Sequence, residues 1–260
     1  MLFESKLKKK MQHKKPILRS FLRFPDPSVA EIMALAGVEM ITIDQEHYPF
    51  DDEEIEKVVR AAQCFGSEVL VRVPCIDTEH IGSILESGCT GIVVPHVETY
   101  EEALEVVRAV KYSPIGNRGF CPITRAAFYG MRMSPAEYAA YANTQTIIIL
   151  MTETKKGLEN LDRILTIPEV DGIAIGPSDV SASYGYPGHP ENPVVKAAIE
   201  KAQSQIATSG KCLCAQAYTI EMAQKVLAKG ATVLNVGSDV QLLDSSFTNL
   251  IDSITKITTK

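Results

Sequence analysis

The chain has 260 residues, 45% of them hydrophobic and 22% charged, with a formal net charge of −6. That balance suits a soluble globular chain with one large core, and its mild acidity leaves no electrostatic footprint for nucleic acid or an anionic membrane. No apolar run approaches the ~18 residues of a membrane span, and no signal-type apolar core follows the basic start. Residues 1–16 carry the basic cluster Lys6–Lys15 and are expected to be a flexible, solvated lead-in. Residues 17–260 are expected to form one folded domain.

From there, strand-length apolar runs alternate with amphipathic stretches. Ile17–Leu22 is the first strand, followed by a helix from Ser28 to Gly37. Met40–Ile43 is the second, with a helix from about Asp52 to Phe65. "EVLVRVP" (68–74) precedes a helix over Asp77–Ser87, and "GIVVPHV" (91–97) precedes one over Thr99–Lys111. Residues 112–135 break the rhythm with a loop rich in Gly, Pro and aromatics, of the long kind that usually carries function. A short helix near Pro135–Tyr141 leads to the fifth strand, "TIIILM", then a helix over Lys155–Leu165. "GIAIG" is the sixth strand, followed by a second long loop and a helix over Pro193–Ser209. "CLCAQ" is the seventh strand, with a helix over Thr219–Lys229; "TVLNVG" is the eighth, and a helix over Val240–Ile257 closes the chain. Eight strand–helix units with buried-type strands predict a (β/α)8 TIM barrel.

The chemistry sits where strands end. "GVEMITIDQEHYPF" (37–50) passes at once from an apolar strand to Asp44, Glu46 and His47. The third strand carries Arg72, the fourth ends at His96, the fifth at Glu153 and the sixth at "GPSD" with Gly176, Ser178 and Asp179. In a barrel of this type all of these groups reach one rim. Bland readings stand beside this: Asp44 as a turn cap, His47 as a surface histidine, Arg72 in an ion pair with Glu46 or Asp44, and Asp179 as a helix cap. The six cysteines include no C-x-x-C pair, which is consistent with reduced cytoplasmic thiols.

Glu153 and Asp179 come from adjacent strands and suit a hard divalent cation such as Mg2+ or Mn2+. The GPSD turn opens a helix and can face an anion. With Arg72, these groups suit a 2-oxo acid whose enolate the guanidinium stabilises. His47, oriented by Asp44, is the expected acid/base group.

"IDQEH", "VLVRVP", "GNRGFCPITRAAFYG", "MTET" and "GIAIGPSDVSASYG" together resemble the metal-dependent (class II) pyruvate aldolases, which share a superfamily with the citrate lyase β-subunit. The likeness runs from about Ile17 to Phe247. It implies a divalent metal (Mg2+ first, with Mn2+ or Co2+ possible) and cleavage of a 4-hydroxy-2-oxo acid to pyruvate and an aldehyde. By the same resemblance Glu153 and Asp179 are metal ligands, Arg72 stabilises the enolate, and His47 with Asp44 forms the acid/base pair. Amides around Ser178 and Asp179 hold the pyruvate carboxylate. It further implies a hexamer built from dimers with the last helix exchanged, and Glu86 as a carboxylate given to a neighbour's site. One departure stands out: Met151 replaces a Gln two residues before the Glu153 ligand.

Two other functions compete. An acyl-CoA ester lyase needs basic surface near the mouth, for which the chain offers only Arg118, Arg125 and Arg132 in one loop. A silent barrel that merely binds an oxo acid is opposed by the joint presence of Arg72, His47, Glu153 and Asp179.

Overall fold

A computed structural model describes residues 4–258. Eight parallel strands close into a barrel in sequential order: β1 (Ile17–Leu22), β2 (Met40–Asp44), β3 (Glu68–Arg72), β4 (Gly91–Val94), β5 (Ile147–Met151), β6 (Gly172–Ala174), β7 (Cys212–Gln216) and β8 (Ala231–Ser238). The strands are Val- and Ile-rich because both faces are covered, one by the lumen and one by helices. The outer ring comprises α2 (Pro27–Leu35), α3 (Asp52–Cys64), α4 (Thr78–Glu86), α5 (Tyr100–Val110), α6 (Pro135–Gln145), the short pair α7 (Lys155–Glu159) and α8 (Leu161–Ile164), α9 (Pro177–Ser183), α10 (Pro193–Thr208) and α11 (Ile220–Ala228). Sequence dictates several helix starts: Asp51, Thr99 and Ser134 each form a reciprocal capping box with a glutamate three residues on. The second helix starts earlier than expected because Asp26, not Ser28, is its cap and accepts from the Ser28 amide.

The N-terminal expectation needs correcting. Lys6–Gln12 is not a solvated lead-in but a helix, α1, with Leu7 and Met11 buried against Ile17, Met40, Leu70 and Ile147 at the floor of the lumen. Glu68 accepts from the Lys6 and Leu7 amides at 2.6 and 3.2 Å, a carboxylate set against a helix start. Lys8 is buried as well and is paired with Asp171 at 2.7 Å. The last helix, α12 (Asp239–Thr258), is the opposite case. Its residues from Gln241 onward are all exposed, with Phe247 at 62% and Ile257 at 76%. Ile32 and Leu35 of α2 are left open at 66% and 69%. Among the described residues no helix is long and apolar enough to cross a membrane.

Candidate active site

Parallel pairing sets Asp44 directly opposite Arg72 at the carboxyl ends of β2 and β3. Arg72 grips Asp44 with a bidentate fork, Nε to Oδ1 at 3.0 Å and Nη2 to both oxygens at 2.7 Å. Its remaining nitrogen, Nη1, lies 2.9 Å from Glu46 Oε2 and 3.9 Å from Met151 Sδ. The Phe21 ring lies 4.9 Å from the guanidinium. Two carboxylates and an aromatic face therefore lock a nearly buried cation in one orientation.

The expected Asp44–His47 pair does not form. Arg72 satisfies both Asp44 oxygens, and Arg23 Nε approaches the same carboxylate at 3.4 Å. The His47 ring lies on the rim, 57% exposed, and its nearest charged partner is Glu46, Nε2 to Oε2 3.7 Å. Three residues of sequence separation favoured the pairing, but cross-strand register gave Asp44 to Arg72 instead.

Glu153 follows β5 and is 2% exposed. Its Oε1 accepts from the His96 amide at 3.1 Å. His96 is held at φ 54°, a left-handed conformation uncommon for a residue with a side chain and frequent at functional sites. From there its ring reaches Glu46 Oε1 at 3.3 Å and Glu153 Oε1 at 3.5 Å. One ligand atom from each of Glu46, His96 and Glu153 lies within 4.8 Å of the others. Asp179 joins from the first turn of α9. A Cβ at Gly176 would stand 2.4 Å from Glu153 Oε2 and 2.8 Å from Asp179 Oδ2, so both oxygens face the space this glycine leaves open. Burial pushes the Glu153 carboxyl up to about 7. The His96 amide opposes that rise, and the charges of Asp179 and Glu46 add to it. Three carboxylates and an imidazole converging on one space form a donor set that fits a hard divalent ion.

Other expected residues are placed elsewhere. Ser178 lies exposed in the first turn of α9, whose N-cap, Gly176, provides no side-chain bond to the turn's amides. Glu86 ends α4 at the amino-terminal face, where it lines a small cavity with Asp52, Glu56 and Arg125. Arg118, Arg125 and Arg132 border a cavity of about 650 Å³ with Glu68, Thr90 and Thr146, residues at or just before strand starts and so at the end opposite the rim.

Residues 19–245 match the HpcH/HpaI aldolase/citrate lyase family. The chain belongs to that family. It is a carbon–carbon lyase of the aldolase type. The aldolase is 36% identical over 237 residues to the hydroxypyruvate/pyruvate aldolase of Roseobacter denitrificans, covering 91% of each chain. It is 34% identical over 240 residues to the 4-hydroxy-2-oxo-heptane-1,7-dioate aldolase of Escherichia coli, covering 92% of this chain and 91% of that one. A crystal structure of a family member from Burkholderia cenocepacia superposes with a TM-score of 0.91 at 28% identity, over 96% of this chain and 99% of that one.

Sequence reasoning placed Glu46 and His96 on the rim but gave neither a part in the metal site. Both follow strand ends, and the signal available was that position alone.

Proposed function

We propose that this rim reversibly cleaves a 4-hydroxy-2-oxo acid to pyruvate and an aldehyde, with Glu153 and Asp179, joined by Glu46 and His96, holding a divalent ion, Mg2+ foremost. When bound, such an ion supplies polarisation of the 2-oxo group and neutralises the acidic cluster. The protein's own groups do the rest. Arg72 Nη1, which lies against Glu46 Oε2 at 2.9 Å rather than against Asp44, donates its other N–H to the oxygen on which charge develops as the C3–C4 bond breaks. The Asp44 fork keeps Nη1 aimed without reorganisation. His47 takes the C4-hydroxyl proton through a water, and a proton returned to C3 of the departing enolate completes pyruvate. The uncapped amides at Ser178 and Asp179, beside Gly176, receive the substrate carboxylate.

The observation that carries this reading is the convergence of an immobilised guanidinium and an acid–imidazole cluster on one rim of the barrel. The acyl-CoA alternative loses its support, because Arg118, Arg125 and Arg132 lie at the wrong end. Coupling pyruvate release to lactate dehydrogenase, with 4-hydroxy-2-oxo acids as substrates, tests the proposal. Turnover that a chelator abolishes and Mg2+ or Mn2+ restores is the expected result; none with any metal rejects it.

The same proposal extends to assembly. An α12 whose Leu242, Phe247, Leu250 and Ile254 all stay exposed, and the open Ile32 and Leu35 of α2, support exchange of this helix between subunits of a homo-oligomer, a hexamer formed as a trimer of dimers. Glu86, remote from its own rim, is then free to serve a neighbour's. Six free thiols favour a cytoplasmic location.

A further inference from the structure

The turn that leaves β2, residues 45–50, presents Glu46 and His47 to the rim, and a side chain that points elsewhere ties it down. Asp44 and Glu46 both reach Arg72, whereas Gln45, between them, reaches the Phe50 carbonyl and the ring of His80. The Gln45 backbone amide donates to the Arg72 carbonyl at 3.0 Å, carrying the β2–β3 ladder one residue past the strand. Its Nε2 donates to the Phe50 carbonyl at 3.1 Å and so closes the two ends of the turn on each other. Phe50 is itself fixed, buried in the main apolar core. Gln45 Oε1 is left to accept, and His80 Nε2 lies 2.8 Å from it. An amide oxygen cannot donate, so His80 Nε2 carries the hydrogen.

His80 stands on firm ground. It lies in the first turn of α4, where its backbone amide donates to the Asp77 cap at 3.0 Å. Its neighbour Ile81 is fully buried in the same core as Phe50. The Gln45–His80 bond therefore joins the turn to a rigid helix rather than to another loop. Holding a half-exposed turn in one shape costs conformational freedom, and hydrogen bonds to fixed neighbours offset that cost. The consequence falls on the two residues the turn presents. Glu46 keeps one oxygen 2.9 Å from Arg72 Nη1 and the other 3.3 Å from His96 Nε2. The His47 ring makes no hydrogen bond among the described residues, and Glu46 stands 3.7 Å away. What aims His47 is thus the backbone of the turn.

We infer that His80, acting through Gln45, is a positioning residue for cleavage: the bond between them holds the turn so that Glu46 and His47 stay aimed into the site. This rests on the aldolase reading of the rim. Pyruvate release from a 4-hydroxy-2-oxo acid with Mg2+ tests it in variants on both sides of the bond. His80→Phe keeps a ring but donates nothing, His80→Gln keeps a donor near the place of Nε2, and Gln45→Met removes the acceptor. Small misplacements of reacting groups cost up to ~10²-fold, so His80→Phe should lower kcat by ~10–100-fold with KM little changed. His80→Gln should recover most of that loss. Gln45→Met should lose at least as much as His80→Phe, and adding His80→Phe to it should cost nothing further, because both act through one bond. Gln45→Met also reads the same loss should His80→Phe not fold. Wild-type kcat in His80→Phe or in Gln45→Met, an effect on KM alone, a loss that His80→Gln does not recover, or losses that multiply in the double variant overturn the positioning role and leave the aldolase reading intact. Wild-type protein that releases no pyruvate with any divalent ion overturns both.

Discussion

Replacing Glu153 by Gln exchanges a buried carboxylate for a neutral side chain of the same shape that still accepts from the His96 amide. In the metal-free protein the carboxyl is raised from the usual 4.5 to about 7 by burial first and by Asp179 and Glu46 as well. A carboxyl with a raised folded-state pKa retains its proton longer folded than unfolded. Its contribution is therefore neutral at low pH and turns unfavourable as pH climbs from about 4.5 to about 7. At ~1.4 kcal/mol per tenfold, the penalty above neutrality reaches roughly 3 kcal/mol. Near pH 8 without metal, Glu153→Gln is thus expected to melt higher than wild type by on the order of 5–10 °C. Wild-type stability should fall between pH 5 and 8 more steeply than that of the variant. Added Mg2+ should raise the wild-type midpoint and leave the variant unmoved. Scanning calorimetry across this pH range, with and without the ion, reads all of this. A metal-free variant less stable than wild type at pH 8, or an equal Mg2+ response from both proteins, refutes the reasoning.

Arg72→Lys keeps the charge but loses the fork that Asp44 holds, so kcat for pyruvate release should drop ~10²–10³-fold; a change confined to KM would make Arg72 a binding residue only. Met151 packs in the lumen 3.9 Å from Arg72 Nη1 and lies on the same side of its strand as Glu153. Met151→Gln should tighten Mg2+ or Mn2+ binding by several-fold to about tenfold in a calorimetric titration, and equal affinities would count against an oriented amide at this position. Ending the chain after Val240 removes the apolar arm, and sedimentation should then show a smaller assembly; an unchanged mass would disconnect α12 from oligomerisation.

The barrel was legible because most strands are short apolar runs, several of them rich in Val and Ile, bounded by a change to polar residues, a pattern set by burial on both faces. Arg72 stood out for the same reason, since a charge inside "VLVRVP" demands a partner. Local signals failed where three-dimensional neighbours decide. In α1, Leu7 and Met11 share a helix face that six lysines between positions 6 and 15 conceal, and Lys8 is neutralised by Asp171, which is distant in sequence. His47 was matched to Asp44 by proximity in sequence, whereas Glu46 and His96 meet Glu153 only once β2, β4 and β5 are aligned.

The central claim is that this rim, with a divalent ion, generates the enolate of pyruvate. Exchange of the pyruvate methyl protons for deuterium, followed by proton NMR in heavy water without any aldehyde, isolates that step. Exchange should be rapid with wild-type protein and Mg2+ or Mn2+, vanish in chelator, and slow by ~10²–10³-fold in Arg72→Lys. Exchange that persists unchanged in chelator, or that is absent with every divalent ion offered, would contradict the account.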